Sequence, residues 1–173
     1  VGANIGVYSL YAASRNSRCT IYAFEPESQN FSRLCKNIVL NKFRNIVPCN
    51  FPLSDRETFD LFYVGEIHAG SALHSLGGVN RFRPNCEAEV LRQGVVALSL
   101  DALVEKYGLP CPTLLKIDVD GIEPRILMGA RHILSSGSVR SVLLEVNVDA
   151  SDGRDETGVE SWLVQCGYSL SRM

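Results

Sequence analysis

At 173 residues, with 46% hydrophobic and 21% charged positions, the chain has the composition of one globular domain with its own core. Lysine and arginine number 17 against 19 aspartates and glutamates, a formal charge of −2, which offers no basic field to nucleic acid or to an anionic membrane. No apolar stretch reaches the roughly 20 residues of a membrane span, and the six cysteines, Cys19, Cys35, Cys49, Cys86, Cys111 and Cys166, form no C-x-x-C pair and read as buried free thiols.

The chain begins VGANIGVYSL. Gly2 and Gly6 enclose Asn4 and precede an apolar run, the pattern by which a strand hands over to a helix around a ligand. That helix is expected to run for about two turns and to end near Ser14 to Ser17, with Val7, Leu10 and Tyr11 on one face. A strand over 19–24 ends at Glu25, and Pro26 is placed as the first residue of a helix carrying Phe31, Leu34, Cys35 and Ile38 inward. The strand over 46–51 contains Pro48, which has no N–H to give a ladder and so belongs at a sheet edge. Segments 58–64 and 94–98 read as extended. Between them, 65–93 has no clear period and is either a lid or acceptor-binding insertion or a plain surface insertion.

Further on, a helix from Leu100 through Tyr107 stops at Gly108, and a strand covers 113–118. One helix is expected over 121–136, with Ile126, Leu127, Ala130 and Leu134 inward and Gly137 past its end. The run 139–146 is apolar nearly throughout, as a strand covered on both faces should be. A helix over 157–166, anchored by Trp162 and Leu163, and a last strand over 168–171 complete the chain. Strands and helices alternate, so the fold class is α/β with a doubly wound, mostly parallel sheet.

In such folds ligands bind at the carboxyl ends of the strands. There the turn Gly2, Asn4, Gly6 lets backbone approach a ligand, and the following helix offers N–H groups to an anion. Glu25 ends the next strand 23 residues after Gly2, where a carboxylate accepts hydrogen bonds from two ribose hydroxyls. Both features fit NAD as well as S-adenosylmethionine. Asp55, in Leu53-Ser54-Asp55, either meets the amino group of a base or closes a simple turn. Lys116, Asp118, Asp120 and Glu123 put four charged groups in eight residues at the end of a buried strand, an arrangement that asks for partners or a ligand. Glu145 interrupts the run VLLEV, with Lys116 as its plausible partner. His68, His74 and His132 lack metal-type spacing. His132 reads as a helix-surface residue and His74 as a candidate base.

Taken in order, VGANIGVYSL, YAFEPESQNFSRLCKNI, LSD, GSALH, SLDAL, LLKIDVDGIEPRILMGA and VLLEV resemble the FkbM family of S-adenosylmethionine-dependent methyltransferases. The resemblance implies a single class I methyltransferase domain over 1–173, Rossmann-like, that moves a methyl group to a hydroxyl oxygen of a sugar or natural-product acceptor. It places Gly2, Asn4 and Gly6 at the methionine part of the cofactor, Glu25 at the ribose, Asp55 near the adenine and Asp118 beside the sulfonium. Family members carry an acidic residue and a strand before the glycine turn and a final strand after the last one here, so the chain is expected to be cut at both ends. Asp118, Asp120, Glu145 and His74 are the candidates to accept the acceptor's proton. Nothing requires a metal, although Asp118 and Asp120 leave a divalent ion open. The expected partner is a small molecule or glycan, with no nucleic acid, and the expected location is the cytoplasm. The rivals are an NAD-binding oxidoreductase domain and a non-catalytic binding module.

Overall fold

The structure, a computed structural model, describes residues 1–64, 69–70, 75–77, 91–145 and 158–171. His68, His74, Cys86, Arg81 and Arg83 lie outside them. The chain divides into two compact units, Val1–Leu53 with Thr58–Ala97, and Ser54–Glu57 with Leu98–Met173.

In the first unit, helix α1 (Val7–Arg15), strand β1 (Ile21–Phe24), helix α2 (Ser28–Leu40) and strand β2 (Ile46–Cys49) follow in order. β1 and β2 are parallel, in register from Ile21 beside Ile46 to Phe24 beside Cys49, and α2 is the crossover that a parallel pair requires. Ala13, Ala23, Leu34, Ile38 and Ile46 make one buried cluster, with Leu10 and Phe31 packed against it. Among the described residues β2 pairs with β1 alone, the edge position that Pro48 demands. Two expectations shift. Val7 and Tyr11 are 62% and 65% exposed, so α1 buries Ala13 in place of an aliphatic and aromatic stripe. Helix α2 starts at Ser28, because the Glu27 carboxylate caps it by accepting from the amides of Gln29 (2.9 Å) and Asn30 (2.6 Å).

The same unit holds an antiparallel sheet in the order β4 (Ser75–Leu76), β3 (Thr58–Val64), β5 (Leu91–Ala97). β3 and β5 pair along their whole length, from Thr58 beside Ala97 to Val64 beside Leu91. Alternation gives this sheet a dry face of Phe62, Val64, Val95 and Ala97 and an outer face bearing Phe59 and Val96. Within the 65–93 stretch, Ser75–Leu76 and 91–93 are thus strand.

The second unit contains helix α3 (Leu100–Glu105), strand β6 (Leu114–Ile117), helices α4 (Glu123–Met128) and α5 (Arg131–Ser135), strand β7 (Ser141–Leu144) and helix α6 (Val159–Gln165). β6 and β7 are parallel, with Lys116 beside Leu143 and Ile117 beside Leu144. The single helix expected over 121–136 is two. A Cβ at Gly129 would stand 2.0 Å from the Ser54 carbonyl oxygen, and the Gly129 carbonyl accepts from the Asp101 amide at 2.8 Å, so the chain turns there. Ile126, Leu127, Ala130 and Leu134 are nonetheless buried as the spacing required. The orphan amides at the new helix start are met by Asp101, whose two oxygens accept from His132 N (3.0 Å) and Ile133 N (3.1 Å).

Other differences are smaller. Ser141 and Leu143 of β7 are exposed, so the apolar run is covered on one side only. Val159 and Leu163, each 5% exposed, anchor α6, with Trp162 half-buried. Residues 168–171 pair with no strand among the described residues, and the Tyr168 hydroxyl instead donates to Val139 O at 2.8 Å. The five described cysteines are free but none is fully buried.

Because Asp101 serves two amides of a five-residue helix, Asp101→Ala is expected to lower the unfolding free energy by about 1–2 kcal/mol, read by urea denaturation. A loss below about 0.3 kcal/mol would show that α5 does not need this cap.

Candidate functional site

The glycine turn is held in an unusual backbone path. Gly2 (φ 70°), Asn4 (φ 48°) and Gly6 (φ 95°) all lie in the left-handed region. Gly6 is required twice over, since a Cβ there would also meet Leu34 Cδ1 at 2.5 Å. Asn4 tolerates the same region, and its Oδ1 accepts from Ile5 N at 2.7 Å. Three bonds fix the turn in place: Ala3 N to Phe24 O (2.9 Å), Asn4 N to Glu25 Oε2 (2.7 Å) and Asn37 Nδ2 to Ile5 O (2.8 Å). α1, starting behind Gly6, has no side-chain cap and no acid in its first turn.

Glu25 joins this turn to the next. Its second oxygen, Oε1, accepts from Glu27 N at 2.9 Å, so one carboxylate bridges the glycine turn and the Glu25-Pro26-Glu27 turn. It is 4% exposed. Burial pushes its pKa up to about 7, against the two backbone hydrogen bonds, and the neighbouring Glu27 carboxylate adds to the rise. Each oxygen retains one lone pair for a ligand hydroxyl.

Three residues around this turn were not singled out in the sequence. Glu27 is 1% exposed and caps α2; an acid directly before an apolar helical stripe was the available signal. Asn30, also 1% exposed, accepts from Gly70 N at 2.7 Å. Gln93 donates from Nε2 to Pro26 O at 2.8 Å. Among the described residues its Oε1 is the one buried side-chain oxygen or nitrogen without a hydrogen-bond partner, a state that costs about 1–3 kcal/mol. Because the two are 67 positions apart in the chain, no local pattern links Gln93 to Pro26.

In the second unit the charged end of β6 meets Glu145. Lys116 Nζ pairs with Asp118 Oδ2, and Asp118 is hydrogen-bonded to Glu145. The parallel register explains it: Ile117 lies beside Leu144, and Glu145 N donates to Ile117 O at 3.2 Å, so the next residues of the two strands are neighbours. Partial burial would raise Asp118, but the Glu145 hydrogen bond and the Lys116 ammonium outweigh it and hold Asp118 below the ordinary carboxylate range. Glu145 is raised, first by that hydrogen bond and then by the Asp118 charge. The two carboxyls are thus shifted in opposite directions, Asp118 down and Glu145 up. Asp120 is half-buried in the loop beyond. Glu123 is buried at the start of α4, raised by desolvation, and accepts from Gly121 N at 3.3 Å.

Asp55 is engaged within its own unit. Its Oδ1 accepts from Ser54 Oγ (2.9 Å) and from Arg125 Nε and Nη2 (3.2 Å each), and Oδ2 from Arg56 (3.2 Å). Slight burial opposes these bonds, which still leave Asp55 below its ordinary range. His74 lies outside the described residues. A cavity of about 870 Å³ runs along β7, lined by Val139, Val142, Leu144, Leu163 and Tyr168, and includes neither Lys116, Asp118 nor Glu145. No helix among the described residues is long and apolar enough to cross a membrane.

An α/β chain with a ligand-type glycine turn and a buried acid one strand later defines a nucleotide-cofactor class. Comparison with known proteins narrows it. The Methyltransferase FkbM domain matches residues 1–170, one family profile spanning both units, and the chain belongs to the FkbM methyltransferase family. It is 26% identical to the hexuronic acid methyltransferase AglP of Haloferax volcanii, over 88% of this chain and 57% of that protein. It is 31% identical to the 31-O-demethyl-FK506 methyltransferase FkbM of Streptomyces tacrolimicus, over 88% of this chain and 66% of that protein. The crystal structure of methyltransferase FkbM from Methylobacillus flagellatus KT superposes with a TM-score of 0.61 at 14% identity, over 95% of this chain and 36% of that one, a likeness of fold. The chain thus spans between about a third and two thirds of the length of these proteins.

The Glu25 carboxyl gives a pH test. Between about pH 4.5 and 7 the folded glutamic acid keeps its proton while the unfolded one has lost it, so stability falls as pH rises through this window. A shift of that size corresponds to about 3 kcal/mol. Glu25→Gln cannot titrate, and its unfolding free energy is expected to decline less between pH 5 and 8 than the wild type's. Parallel pH profiles of the two proteins would remove Glu25 as the group concerned.

Proposed function

We propose that the protein transfers a methyl group from S-adenosylmethionine to a hydroxyl oxygen of a sugar or natural-product-like small molecule, in the cytoplasm. The observation that carries this reading is the match to the FkbM methyltransferase domain over residues 1–170, the stretch that contains the turn fastened to Glu25. The relatives named for methylating a hexuronic acid and a demethylated FK506 oxygen supply the acceptor class.

The residues of the first unit fit such a cofactor. Gly2 and Gly6 present no Cβ, the uncapped start of α1 suits a carboxylate, and Glu25 has a lone pair free on each oxygen for two ribose hydroxyls. When bound, S-adenosylmethionine supplies an electrophilic methyl on a sulfonium. For the rest, the protein aligns donor and acceptor and removes one proton. Asp118 is the group we assign to take the acceptor's hydroxyl proton. The Glu145 hydrogen bond and the Lys116 ammonium hold it below the ordinary carboxylate range and so ionised. Asp120 and His74 are the alternative bases.

Two outcomes follow. Titration with S-adenosylmethionine should stabilise the protein by about 2.7 kcal/mol at 100 times its dissociation constant, whereas NAD should leave the melting temperature unchanged; the reverse result would replace methyl transfer with hydride chemistry. With labelled cofactor and a panel of hexuronic acids and hydroxylated natural products, Asp118→Asn should lower turnover about 10²- to 10⁴-fold while cofactor binding is kept. Full turnover in that variant would move the base to Asp120 or His74.

A further inference from the structure

We propose that Gln93 reads the base of the cofactor, its side-chain oxygen accepting a hydrogen bond from the exocyclic amine of adenine. This rests on the reading of the first unit as the S-adenosylmethionine site.

Gln93 is the third residue of β5 and reaches the turn that carries Glu25. Its amide orientation is fixed by chemistry: the Pro26 carbonyl can only accept, so the NH₂ group must face it, at 2.8 Å, and Oε1 is what remains. That oxygen is shielded from solvent and has no partner among the described residues. A buried acceptor held in place by its own amide nitrogen is a site prepared for one donor.

The identity of the donor follows from position. Pro26 is bonded directly to Glu25, the residue assigned to both ribose hydroxyls, so a nucleoside gripped there presents its base within reach of the same turn. Adenine carries a single exocyclic donor, the amine. The remaining polar groups of the turn, Glu25, Glu27 and the Pro26 carbonyl, are acceptors already engaged with backbone amides or with Gln93. Asp55, the residue placed near adenine by family resemblance, has both oxygens bonded to Ser54, Arg125 and Arg56. Among the described residues, Gln93 Oε1 is the buried acceptor without a donor.

The test is calorimetric titration of the protein with S-adenosylhomocysteine and with its analogue in which hydrogen replaces the adenine amine. Wild type is expected to prefer the aminated ligand by about 10- to 100-fold, because the analogue leaves the buried oxygen unpaired. Gln93→Met is expected to bind both ligands within about threefold of each other. Equal affinities in wild type, or an undiminished preference in Gln93→Met, would overturn the assignment. Independently of how that variant folds, a crystal structure of the wild-type complex should place the amine about 2.7–3.2 Å from Gln93 Oε1, and an amine bonded elsewhere overturns it. Binding of NAD but of neither homocysteine ligand would refute the cofactor reading itself, and the Gln93 assignment with it.

Discussion

A single buried carboxylate, Glu25, fastens the glycine turn on which the proposed cofactor site rests. Glu25 accepts from Asn4 on one oxygen and from Glu27 on the other, so the glycine turn and the start of α2 are two ends of one clamp. Of the three left-handed residues Gly2, Asn4 and Gly6, Asn4 alone carries a side chain, and the clamp holds its amide directly. Burial makes the bond strong and makes the charge expensive; the rise of this group to about 7 is the result of that balance. The same atoms that shape the turn are the ones a ribose would engage, and structure and binding therefore draw on one group.

Acids recur in this protein as helix anchors. Glu27 serves α2 and Asp101 serves α5, each buried and each accepting from two amides. An ionised acceptor at a helix start gains from both hydrogen bonds and the end charge of the helix. The acids at the end of β6 behave differently. There Asp118 has the Lys116 ammonium and the Glu145 carboxyl in place of backbone amides, so its partners are ionisable side chains. Amide-bound acids are suited to holding structure, whereas side-chain-bound acids are suited to exchange.

What was legible in the sequence was local. The strand ending at Glu25, the inward stripe of α2, the whole of β3 and the charged end of β6 could be read because neighbours a few residues apart decide them. The break between α4 and α5 could not, because Gly129 is forced by the carbonyl of Ser54, 75 positions earlier in the chain, and repaired by Asp101 from another helix. The sheet of β4, β3 and β5 was hidden for a related reason: Leu91 to Gln93 follow a tract with no period of its own and become strand only by pairing with Phe62 to Val64. In the site, Glu25 was visible from its distance to the glycine turn, and its second role as a clamp was not.

The turn residues also show how a generic motif acquires selectivity. A glycine turn and an acid one strand later grip any nucleoside that offers a ribose, and they leave the base unread. Discrimination requires a polar group that is unsatisfied without the right ligand, because a missing donor then costs the site a buried, unpaired acceptor. Gln93 comes from β5, outside the stretch that holds the motif, and it reaches the turn through one hydrogen bond to Pro26. Its nitrogen locks the side chain and its oxygen is left open by that locking. In the proposed site the motif sets the cofactor class, and a residue brought in by a separate sheet sets the demand for a particular base.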